Sequence, residues 1–60
     1  MPLKFELAEM QKTLESWNFN LYFDEKRKEW ELMSVNSSYS LTGEIKEEVI
    51  RQGFYYLISG

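Results

Sequence analysis

A chain of 60 residues with ten acidic and seven basic side chains, a net charge of −3 and 43% hydrophobic residues has room for a single small domain, expected to span residues 1–60. A domain of this size hides only about 60% of the surface it exposes when unfolded, and with no cysteine and no histidine it has neither a disulfide framework nor the usual zinc ligands to staple it. The same two absences remove the commonest general base and the strongest side-chain nucleophile, so a non-enzymatic protein without metal or cofactor is expected.

The first predicted element is a helix. Pro2 suits a first helical turn, where its missing N–H has no partner to lose, and Leu3, Leu7, Met10, Leu14 and Trp17 then recur at helical spacing on one side. Leu3-Lys4-Phe5-Glu6-Leu7 alternates as a short strand would, so the start has a second reading. The helix is preferred because that strand leaves Ala8 to Ser16 marginally short.

A β-hairpin follows. Trp17-Asn18-Phe19-Asn20-Leu21-Tyr22-Phe23 alternates apolar and polar at period two, and Glu29-Trp30-Glu31-Leu32-Met33-Ser34-Val35 repeats the pattern less strictly. Between them Asp24-Glu25-Lys26-Arg27-Lys28 is charged throughout, hence a solvated turn. It lacks the Asn-Gly or Asp-Gly pair of a two-residue loop, which favours a four-residue loop from Glu25 to Lys28. The register then sets Phe23 opposite Trp30, Leu21 opposite Leu32 and Phe19 opposite Ser34. One face becomes aromatic and aliphatic, while the other carries Asn18, Asn20, Tyr22, Glu31, Met33 and Val35.

Asn36-Ser37-Ser38 is a loop signal, and Tyr39-Ser40-Leu41 is expected to supply a short third strand. Thr42 is then an N-cap candidate for a helix whose early residues Glu44, Glu47 and Glu48 suit the helix dipole. Ile45, Val49, Ile50, Gly53 and Leu57 form its apolar side. Gly53 leaves two readings: it ends the helix and frees Phe54-Tyr55-Tyr56-Leu57-Ile58 as a strand, or it lies inside a helix that ends near Leu57 and lets that helix approach the sheet closely. The preserved period favours the continuous helix. The fold class is therefore α+β, a two-layer domain with two helices packed on one face of a small antiparallel sheet, in the order α-β-β-(β)-α.

That order is similar, at the level of topology, to the double-stranded RNA-binding domain. The helix which in that family opens with phosphate-gripping lysines here reads Thr42-Gly43-Glu44-Ile45-Lys46-Glu47-Glu48, whose carboxylates would repel phosphate. The hairpin followed by Tyr39-Ser40-Leu41-Thr42-Gly43-Glu44 and an acidic helix also resembles the partial RNase-H-like fold of HicB-type antitoxins, without the preceding proline-and-glycine loop.

For function, the sequence has no phosphate-cradling glycine loop and no nucleophile elbow. The carboxylate pairs Asp24-Glu25 and Glu47-Glu48 read as solvated surface, too little for a Mg²⁺ site. The expected function is a small protein-binding module, a regulator or inhibitor of the kind bacteria and their phages encode. Its contact surface is expected on the uncovered sheet face, at Tyr22, Glu31, Met33, Val35 and Asn20, with Tyr55 and Tyr56 second, because aromatic and methionine anchors inside a polar rim are what interfaces favour. The alternative is a single-stranded nucleic-acid binder using Lys26, Arg27, Lys28 and the sheet aromatics. The acidic balance argues against it, since phosphate binding needs a positive face. With no apolar run of membrane length and no signal-peptide pattern, a cytoplasmic location without membrane contact is expected. Self-association is the natural route to extra burial for a domain without staples.

Overall fold

A computed structural model describes residues 6–59. The elements run α1 (Leu7–Ser16), β1 (Phe19–Asp24), β2 (Glu29–Ser34), β3 (Ser40–Gly43) and α2 (Lys46–Ser59). The three strands form one antiparallel sheet in the order β1-β2-β3, and both helices lie on one side of it, α1 against β1 and α2, and α2 against β2 and β3. This is the two-layer α+β arrangement expected, with the third strand present.

The hairpin register is the expected one: Phe19 pairs with Ser34, Leu21 with Leu32 and Phe23 with Trp30. Alternation along the strands therefore turns Phe19, Leu21, Phe23, Trp30, Leu32 and Leu41 toward the helices. Between the layers Met10, Leu14, Phe19, Leu32, Val49, Ile50 and Phe54 form the buried core, with Leu7, Leu21, Trp30, Tyr39, Leu41 and Leu57 packed at its margin. The four-residue turn is held by its own first residue. Asp24 Oδ1 accepts from the backbone N–H of Lys26 at 3.0 Å and of Arg27 at 3.3 Å, and Lys28 closes the turn at φ 59°.

The second helix is continuous through Gly53, and Phe54 to Ile58 are helical. Gly53 is buried because α2 crosses β2 there. A Cβ at this position would run into Leu32 Cδ2 and stand 3.7 Å from Leu14 Cδ1. The helix end extends past Leu57 to Ser59.

Three expectations are corrected. First, α1 is shorter than its apolar spacing suggests. Glu6 is extended at φ −83°, ψ 150°, so the helix starts at Leu7, and Pro2, Leu3 and most of the alternative Leu3–Leu7 strand lie outside the described residues. At the other end Trp17 is the C-cap and Asn18 takes φ 65°. That left-handed residue swings the chain into β1 before Trp17 can reach the core, and Trp17 is 60% exposed. Secondly, Thr42 is no N-cap. It sits within β3 opposite Glu31, where a β-branched side chain suits the pleat, and α2 starts at Lys46. Thirdly, Ile45 precedes that helix, its carbonyl accepting from Val49 N–H at 3.2 Å, and is 54% exposed.

Candidate partner-binding face

The side of the sheet away from the helices is built by the same alternation that fills the core. Its two rows are Asn20, Met33 and Ser40, and Tyr22, Glu31 and Thr42, with Asp24 and Glu29 at the hairpin tip. Tyr22 is the centre. Its phenol donates to Glu31 Oε1 at 2.5 Å and lies 3.3 Å from Met33 Sδ. Tyr22 and Met33 are 43% and 41% exposed, so each offers apolar surface while the hydrogen bond fixes the ring's direction.

The Glu31 contact also has an electrostatic consequence. The phenol can donate to the carboxylate only while protonated, so this hydrogen bond, then desolvation, then the charges of Glu31 and Asp24 hold the Tyr22 pKa above the ordinary 10.0, with Arg27 acting the other way. The face is thus a neutral aromatic and thioether centre with acidic groups beside it.

Of the residues expected on this face, Asn20, Tyr22, Glu31 and Met33 are brought together. Val35 lies just past the end of β2, its N–H donating to Asn18 O at 2.9 Å, and is exposed. Tyr55 and Tyr56 belong to α2 and so to the other layer. Tyr56 stacks on Tyr39 with ring centroids 3.8 Å apart and an interplanar angle of 12°, and Tyr39 meets Phe19 edge-on at 6.1 Å. Burial, and then the neighbouring Tyr56, raise the Tyr39 pKa. Ser40 and Thr42 complete the outer rows and were missed in the sequence; applying strand alternation to Tyr39-Ser40-Leu41 would have found Ser40, and continuing it past Leu41 would have found Thr42. Trp17 and Ile45 were also missed as exposed apolar residues, because each fits a helical apolar period but lies just outside its helix, and Ile58, inside α2, is exposed as well.

Lys26, Arg27 and Lys28 are exposed on the turn, with Asp24 bonded into their backbone. At the start of α2, Lys46 Nζ lies 5.1 Å from the centre of the Trp30 ring, a cation–π contact, and the exposed Glu47 and Glu48 follow it. Among the described residues there is no pocket, no group of three or more side chains able to hold a metal ion, and no helix long and apolar enough to cross a membrane. Comparison with protein-family models, curated proteins and solved structures gives no match to this chain. The site is therefore read from its geometry.

Proposed function

We propose that this protein is a non-enzymatic binding module that docks a partner protein on the uncovered face of its sheet, as a small regulator or inhibitor does. The observation that supports this reading is the Tyr22–Met33 pair: two exposed anchors, oriented by Glu31 and ringed by Asn20, Ser40 and Thr42. An aromatic and a methionine within a polar rim is the composition of an interface core. The ring is already positioned by its hydrogen bond, so less side-chain freedom is lost when a partner covers it. Glu31 and Asp24 favour a partner that brings a basic or hydrogen-bond-donating group to the edge of the contact.

The test is affinity capture from native lysate with the wild-type chain and with the Tyr22→Ala/Met33→Ala double variant, each checked for helical content. Loss of the specifically retained protein from the variant alone is the expected result. If the same protein is retained by both, this face is not the docking surface.

A further inference from the structure

We propose that two copies of this chain associate by pairing their β3 strands antiparallel, making one six-stranded sheet with the order β1-β2-β3-β3-β2-β1. The backbone supplies the first argument. Val35 N–H donates to Asn18 O and Ser34 N–H to Tyr39 O, so by the alternation of an antiparallel ladder Leu32 and Trp30 bond to Leu41 and Gly43 of β3. The N–H and C=O of Ser40 and Thr42 then point away from β2, and no strand pairs that edge among the described residues. An edge of this kind is a template for another strand.

The edge is also self-complementary. When Ser40 exchanges hydrogen bonds with Thr42 of the second copy, Leu41 falls opposite Leu41, and Tyr39 opposite Gly43, where a ring can cover a residue without a side chain. Residues on the core face meet core-face residues and outer-face residues meet outer-face ones, as continuing a sheet requires. From Asn36 to Gly43 the chain carries no charge and no proline, the devices that usually block such pairing.

Helix placement decides between the two edges of the sheet. Neighbouring strands lie about 4.8 Å apart, whereas packed helices need about 8–10 Å. Because α2 packs on both β2 and β3, its axis lies inside the β3 edge, and a twofold copy sets the two α2 helices about two strand spacings, or about 10 Å, apart. The strand contact of α1 is with β1, so joining β1 edges would force two α1 helices to about half that distance. The β3 edge is open to a second copy and the β1 edge is not.

The flank of α2 above the β3 edge fits the same partner. Val49 touches the Gly43 position, where a Cβ would stand 2.8 Å from Val49 Cγ2, and Tyr56 stacks on Tyr39 just before β3. Helical spacing places Gln52 between them, Ile45 below and the exposed Glu48 at the outer margin of this flank, in which Ile45 and Tyr56 are 54% and 48% exposed. Because Tyr39 falls opposite Gly43, Tyr56 of one copy comes to the Val49 end of the other copy's α2, one turn from Ile45. This covers two side chains that the monomer leaves about half exposed, Ile45 and the part of Tyr56 outside its stack on Tyr39.

The test uses the 60-residue chain made by chemical synthesis, so that single backbone amides can be methylated. Sedimentation velocity over a wide concentration range is expected to show a monomer–dimer equilibrium. N-methylation at Thr42 is expected to weaken it by more than about tenfold, the effect of losing at least 1.4 kcal/mol of contact, while N-methylation at Leu21, on the β1 edge, leaves it unchanged. Amide exchange of the unmodified chain is an independent readout: Ser40 and Thr42 should become more protected as concentration rises, and Leu21 should not. A monomeric mass up to millimolar concentration, dissociation by the Leu21 modification instead, or concentration-independent exchange at Ser40 and Thr42 would each overturn the proposal.

Discussion

At the scale of the residue, Gly53 shows why a helix keeps an amino acid of poor helical propensity. Replacing glycine by alanine inside an exposed helix is worth about 1 kcal/mol in favour of alanine. Here the new methyl would collide with Leu32, which is 1% exposed and packed within the core. Overpacking of this kind costs about 1–3 kcal/mol, so Gly53→Ala is expected to lower the unfolding free energy in urea by up to about 2 kcal/mol. The same substitution made on a Leu32→Val background, which lacks the colliding Cδ2, should cost less than it does alone. Equal costs on both backgrounds would place the strain elsewhere. Tyr22 gives a second residue-scale prediction, with its sign fixed by linkage. A phenol whose folded pKa is raised contributes its hydrogen bond fully below the unfolded value near 10, and loses that contribution as pH rises through the folded value. The melting-temperature gap between wild type and Tyr22→Phe should therefore be constant below about pH 9 and close above about pH 10. A gap that widens in alkali would mean that Glu31 does not hold the proton in place.

At the scale of the element, the periods were legible and the places where they stop were not. Alternation of apolar and polar residues is enough to pair Phe23 with Trp30 and Leu21 with Leu32, because a slip by one residue would turn the whole apolar set to water. The apolar spacing of Val49, Gly53 and Leu57 likewise carries α2 through its glycine. A period cannot show where a backbone dihedral breaks it. Trp17 keeps the spacing of α1 but follows its last turn, because Asn18 is left-handed. Thr42 has the side chain of an N-cap but is engaged in a strand ladder. Asn tolerates the left-handed region where branched residues do not, so Asn18→Gly should be nearly neutral and Asn18→Val should cost about 1–2 kcal/mol. Lys28, at φ 59°, is the converse case. It lacks the compensation Asn has, so Lys28→Gly is expected to stabilise by about 0.5–1 kcal/mol, an increase of a few degrees in Tm. Thermal melts of the three variants check both turns, and a destabilised Lys28→Gly would show that the hairpin tip does not hold this conformation.

At the scale of the whole molecule, the two sides of the sheet answer to different constraints, and this makes the functional test clean. The outer site was legible as far as Tyr22 and Met33, whose strands the hairpin pattern fixes, but Thr42 depends on where a short third strand ends. Stability of about 0.05–0.15 kcal/mol per residue gives a chain of 60 residues about 3–9 kcal/mol in all. Truncating a buried leucine removes about 2–5 kcal/mol. Leu14 is 2% exposed and touches the space beside Gly53 where the two helices and β2 meet, so Leu14→Ala should consume much or all of that margin and leave the chain largely unfolded at 37 °C by circular dichroism. Tyr22 and Met33 face away from that core, and their truncation leaves no internal cavity. The Tyr22→Ala/Met33→Ala variant is therefore expected to remain folded while Leu14→Ala does not. If instead the outer-face variant unfolded with the core variant, Tyr22 and Met33 would be holding the sheet together, and their exposure could not be assigned to a partner.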